Sequence, residues 1–104
     1  MTLSNADKKH FRAIGHQLKP VITIAEKGLT ENIQAELERA LNDHELIKIK
    51  LVTADKTEKV ALVNEICTLT QGSAVQSIGH VLLLYRAAKK QDPKLSNLVR
   101  FQAK

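Results

Sequence analysis

The sequence predicts an α/β fold: a two-layer sandwich with a four-stranded mixed sheet, in the order α-β-α-β-α-β-β. Apolar residues recur at helical spacing in three blocks, opening near Ser4, Thr30 and Lys56. Short β-branched or alternating runs stand at Val21–Ile24, Leu46–Val52, Ala74–Ile78 and Val81–Arg86. Pro20, Gly28, Gly72 and Gly79-His80 punctuate them.

Ser4 is the expected N-cap of a first helix reaching about Leu18. Phe11, Ile14 and Leu18 form its inward stripe, and Lys8, Arg12 and His16 follow one another on another side, with Lys19 close to that line. Pro20 ends this helix, because the residue before a proline is pushed out of the α region. Val21 to Ile24 is apolar almost throughout, which places it centrally in a sheet. Thr30 caps a second helix whose core stripe is Leu29, Ile33, Leu37, Ala40 and Leu41 and whose outer side carries Glu36 and Glu38. In the second strand Ile47, Ile49 and Leu51 alternate with Lys48 and Lys50. A third helix, from about Lys56 to Thr70, is apolar around much of its circumference and reads as well buried, with Gly72 as its terminating glycine. Gly79-His80 is a two-residue turn with glycine first, the signature of a type II′ hairpin.

Composition bounds the function. A chain of 104 residues with 43% hydrophobic content makes one domain with a core of its own. The single cysteine, Cys67, sits in an apolar run, where it reads as core filler. The start, Met1 to Asp7, has no basic segment followed by an apolar block, and no apolar run approaches the ~18 residues of a membrane span, so a cytoplasmic protein is expected. His10 and His16 lack the same-face spacing of a zinc helix, and neither a phosphate-binding glycine loop of the P-loop type nor a nucleophile elbow is present. No catalytic residue, metal, cofactor or small-molecule substrate is therefore expected.

Charge is distributed unevenly. The net +5 resides in residues 86–104, while the ten basic and ten acidic residues of 1–85 cancel. Within that neutral part, 1–27 carry +3, 28–45 carry −4 and 46–60 carry +2. Such segregation implies one basic and one acidic face, which suits a polyanion met from one side. Solvated surface charge gives the same totals. Lys48 and Lys50, at i and i+2, stand about 7 Å apart on one face of a strand, near the spacing of successive phosphates. The loop Ala25-Glu26-Lys27-Gly28 leads from a strand to a helix N-terminus, where unpaired N–H groups and the helix dipole attract phosphate. Lys27 adds a full charge, and Gly28 permits close approach of a ligand.

Four runs carry a resemblance. They are Leu18-Lys19-Pro20-Val21-Ile22, Gly28-Leu29-Thr30-Glu31-Asn32, His44 through Lys50, and Ile78 through Arg86. Together they resemble the CRM domain, the module of chloroplast RNA splicing and ribosome maturation, and most of all its stand-alone bacterial YhbY-like members. The likeness covers residues 3 to about 88, so the expected organisation is a CRM domain over 1–88 and a basic, flexible tail over 89–104. It implies a fold similar to the C-terminal domain of translation initiation factor three, an RNA partner in precursors of the large ribosomal subunit, and a GxxG loop akin to the backbone clamp of KH domains. In this chain Ala25 stands at the first glycine position and Gly28 at the second. That shifts weight to Lys27, to the first-helix stripe and to Lys48 and Lys50. The expected RNA-binding residues are Lys8, Arg12, Lys19, Lys27, Gly28, Lys48, Lys50 and Arg86, in a monomeric, non-enzymatic protein. The rival reading is a protein-interaction adaptor whose RNA affinity comes only from the basic tail.

Overall fold

The computed structural model describes residues 3–25 and 27–101. In chain order they form α1 (Asn5–Gly15), β1 (Pro20–Ile24), α2 (Glu31–His44), β2 (Leu46–Leu51), α3 (Lys56–Thr70), β3 (Ser73–Ile78), β4 (Val81–Tyr85) and a short α4 (Asn97–Arg100). The α/β class, the element order and the four-stranded mixed sheet are those expected. The strands run β1-β2-β4-β3, with β1 parallel to β2 and the other two pairs antiparallel.

Local chemistry sets the helix starts. The Ser4 side chain accepts from the Asp7 N–H at 3.0 Å, Thr30 from Ile33 at 3.2 Å, and Asp55 from Glu58 at 2.8 Å. The Gly79 turn has positive φ at Gly79 alone (+56°), as a type II′ hairpin requires and a type I′ turn would not allow. At the C-terminus of α3 it is Gln71 that takes the left-handed conformation (φ +58°), and Gly72 serves differently. A Cβ there would lie 3.1 Å from Leu84 Cδ1 and 3.0 Å from Thr70 Oγ1, so close packing on β4 keeps this residue small.

The core has two parts, one on each face of the sheet. Leu37, Leu41 and Ile66 of α2 and α3 close over Ile22, Ile24, Ile47, Ile49, Leu51, Leu82 and Leu84. On the other face Phe11 and Ile14 of α1 meet Leu46, Val75 and Leu83, joined by Leu98 and Phe101 from the C-terminal segment. The α2/α3 layer and the sheet are the sandwich expected, and α1 with α4 adds a partial layer behind it. Gly15 lies so close to β4 that a Cβ would fall 2.7 Å from Leu83 Cδ2.

Three expectations change in tertiary context. β1 is an edge strand, not a central one, and Val21 and Thr23 are exposed. Helix α3 is half covered: only Ile66 and Thr70 are buried, and Val60 and Leu69 remain 54% and 47% exposed. Its apolar positions run around the helix, and the sheet can cover only one side. The segment after residue 88, expected as a flexible tail, folds back onto the domain up to Phe101; Lys104 lies outside the described residues.

Glu45 organises that return. It sits between α2 and β2 at φ +61° and is only 4% exposed. Its carboxylate accepts from the Ala88 N–H (2.8 Å), Gln91 Nε2 (2.6 Å) and the fully buried Ser96 hydroxyl (2.8 Å). The His44 Nδ1–H donates to the Leu95 carbonyl (2.8 Å), and Asn97 Nδ2 donates to the Leu46 carbonyl (2.7 Å). Burial works to raise the Glu45 pKa, but the donors Ala88, Gln91 and Ser96 together outweigh it and hold the carboxyl below its ordinary value. A depressed carboxyl pKa stabilises the fold above the unfolded-state value and loses that contribution as pH falls through the folded-state value. Glu45→Gln is therefore expected to destabilise the protein by about 1–3 kcal/mol at neutral pH, with a smaller difference from the parent in acid. Urea unfolding of both proteins across that pH range measures this.

Candidate nucleic-acid interface

One face of the sheet is covered over half its length. Along β2, the three residues that point to this face are Leu46, Lys48 and Lys50. Leu46 lies under α4 through Asn97, Lys48 Nζ donates to the Leu18 carbonyl at 3.3 Å, and Lys50 is exposed. Beyond Lys48 no described element covers the face. The register places Thr23, Lys50, Val81 and Ile78 side by side, one residue from each strand. In this uncovered row Ile78 is 65% exposed and Val81 half-buried.

Helix α1 borders the row. Burial raises the Tyr85 pKa, and the charges of Glu45 and Asp7 add to it; Gln17, just after α1, lines a groove with Arg100 and Phe101. Helical periodicity puts Lys8 and Arg12 one turn apart on a single side of α1. Both are half-buried. Lys19 is exposed at the start of β1, at the other end of the face and near Arg100.

The 25–28 loop stands at the end of the sheet where the uncovered row lies. The Gly28 N–H donates to the Ala25 carbonyl at 2.8 Å, and Thr30 N–H donates to the Gly28 carbonyl at 3.1 Å. Gln34 Nε2 holds the Leu29 carbonyl at 2.9 Å, which ties the loop to the first turn of α2. Gly28 has φ +65°, and a Cβ there would meet nothing within 4 Å. The backbone, not crowding, calls for glycine, and the space in front stays open. Lys27 is exposed; Glu26 lies outside the described residues. The loop and Thr23 open onto a cavity of about 510 Å³, lined also by Asn32, Ile33 and Val52.

Arg86 does not join this group. Its Nη1 donates to both carboxylate oxygens of Glu38 at 2.9 Å and to the Thr70 carbonyl at 3.0 Å, and its Nη2 reaches Asn42 Oδ1 at 2.9 Å. It follows β4 at the end of the sheet remote from Lys27, and it ties α2 to the C-terminus of α3. Its charge is matched by Glu38. Lys48 is on the basic face, but its amine serves the α1–β1 connection.

Thr23, Val81, Ile78, Ile33 and Val52 were not singled out from the sequence as surface residues. The aliphatic ones read as core; Ile33 is indeed half-buried against the α2-side core, whereas Thr23, Val52 and Ile78 are exposed and Val81 half-buried. Glu31, Glu36 and Glu38 belong to α2, on the opposite side of the sheet from α1. Among the described residues, no three or more His, Cys, Asp and Glu side chains group so as to hold a metal ion. Burial pushes the Cys67 thiol up, beyond what a hydrogen bond with Ala74 offsets, so it stays protonated in the α3–sheet contact. No described helix is long and apolar enough to cross a membrane.

A family model described as the CRS1 / YhbY (CRM) domain matches residues 3–86. A probable RNA-binding protein of Pseudomonas aeruginosa is 52% identical over 101 residues, covering 97% of each chain. An RNA-binding protein of Haemophilus influenzae is 44% identical over 89 residues, 86% of this chain and 90% of its own. Among solved structures, a Staphylococcus aureus protein described as hypothetical superposes with a TM-score of 0.74 at 27% identity, over 86% of this chain and 93% of its own.

Two substitutions separate backbone need from ion pairing. Gly28→Ala is expected to cost about 1–2 kcal/mol through its left-handed φ, without loss of fold, because the space is open. Arg86→Ala is expected to cost about 1–2 kcal/mol through lost hydrogen bonds and to leave nucleic-acid affinity unchanged. Chemical denaturation, with a binding titration for Arg86→Ala, measures both.

Proposed function

The chain belongs to the CRS1/YhbY (CRM) domain family, and on that premise we propose that it is an RNA-binding protein acting on ribosomal RNA in precursors of the large subunit. The observation that carries this reading is the separation of charge across the sheet. Lys8, Arg12 and Lys50 stand on the α1 side with the Lys27 turn at its end, while the acidic α2 packs on the other side. A sugar–phosphate chain laid along the uncovered row meets cations from a helix, a strand and a loop. Phosphate contacts supply affinity through counterion release, and the shape of the RNA supplies the selection. The names of the relatives from Pseudomonas and Haemophilus support the choice of RNA. The protein acts in the cytoplasm, as a monomer, without catalysis of its own.

Among the described residues, the pair Phe11 and Tyr85, with centroids 4.6 Å apart, belongs to the α1–sheet contact. It leaves no aromatic platform of the RRM kind on this face.

Affinity for a structured ribosomal RNA fragment is expected to fall steeply with salt. The triple variant Arg12→Ala, Lys27→Ala, Lys50→Ala should reduce the log–log salt slope by roughly 2–3, near one per lost phosphate contact. A salt-independent affinity overturns the reading. Exchanging Lys89, Lys90 and Lys94 for Gln tests the tail-only alternative without removing the partners of Glu45; the core reading expects most of the affinity to survive. Crosslinking in cell extract, followed by sequencing of the bound RNA, identifies the segment held.

A further inference from the structure

We infer that the cavity between the 25–28 loop and α2 is a seat for one unpaired nucleobase, so that the protein selects single-stranded or looped-out RNA over duplex. The inference rests on the RNA reading above and adds what part of the RNA the site takes. The floor of the cavity is aliphatic: Ile33 of α2, Val52 just after β2, and the Ala25 methyl. Val52 is 46% exposed although its N–H completes the β1–β2 ladder by donating to the Ile24 carbonyl at 2.8 Å. What sets Val52 apart from the other exposed aliphatic side chains is its place: it lies beside Ile33, Ala25 and Lys27 in one cavity. At about 510 Å³ the cavity is of small-ligand size.

Charge and position select the occupant. Lys27 and Gly28 line the same cavity, so a phosphate at the loop lies next to the aliphatic floor. Thr23, at the other wall, is also the first residue of the uncovered row and stands beside Lys50. A strand that passes from Lys50 to Lys27 therefore crosses the cavity mouth. Its intervening base can turn inward only if it is not paired. The Asn32 amide and the Thr23 hydroxyl are donors and acceptors able to meet the base edge. A duplex keeps its bases stacked inside and presents only backbone here.

The test uses the full chain and three RNAs: a mixed-sequence octaribonucleotide, the same strand annealed to its complement, and an abasic strand of equal length. Affinities are measured at several salt concentrations. The intact single strand is expected to bind about tenfold tighter than the abasic one, the order of one base contact. Val52→Gln, neutral and at an exposed position, should abolish most of that difference, leave the abasic strand unaffected and keep the salt slope unchanged. Equal binding of intact and abasic strands overturns the inference while leaving the phosphate reading in place. So does tighter binding of the duplex, or an equal loss on both strands with Val52→Gln. Failure of all three RNAs to bind in a salt-dependent way overturns the RNA reading and this inference together.

Discussion

Strand β2 has to be satisfied on four sides at once. Its backbone pairs with β1 on one edge and β4 on the other. Ile47, Ile49 and Leu51 need apolar cover on one face and Leu46 on the other, and all four are fully buried. The α2/α3 layer supplies the first cover and α1 with the C-terminal segment supplies the second. The two lysines of β2 point to the second face, so that cover must stop short of them or give them something polar. It does both: Lys48 is granted the Leu18 carbonyl, and Lys50 is left outside. The bare strip on this face follows from that compromise.

The C-terminal segment completes the second cover through polar contacts as well as apolar ones. A buried carboxylate is tolerated only when its lone pairs are filled, and Glu45 is filled by three donors from residues 88–96. The same residue carries a positive φ at the α2–β2 junction. The turn that starts β2 and the anchor that fixes the tail are thus one side chain and its own main chain. This coupling brings Leu98 and Phe101 into the cluster that holds Phe11 and Ile14 of α1.

The two arginine and lysine environments show how differently equal charges are used. Arg86 spreads its donors over two α2 side chains and a backbone carbonyl of α3, with Nη1 on Glu38 and Thr70 and Nη2 on Asn42. It is a bracket between elements. Lys27 and Lys50, by contrast, are exposed on flexible stems. A tally of net charge treats these side chains alike; their partners do not.

What the sequence by itself determined is what depends on near neighbours. Helix caps at Ser4 and Thr30 and the type II′ turn at Gly79 involve contacts within a few residues, and periodicity located the elements between them. The family likeness carried the order of those elements into a known class. What only the tertiary structure decided depends on residues far apart in the chain. The edge position of β1, the pairing of Arg86 with Glu38 across 48 residues, and the docking of Ser96 on Glu45 across 51 leave no local pattern. The same holds for the uncovered row and its cavity. Thr23, Val52, Ile78 and Val81 look like core residues in one dimension, and become surface because the cover over their sheet ends at Lys48. Local free energies are written along the chain; the extent of one layer over another is fixed only when the layers meet.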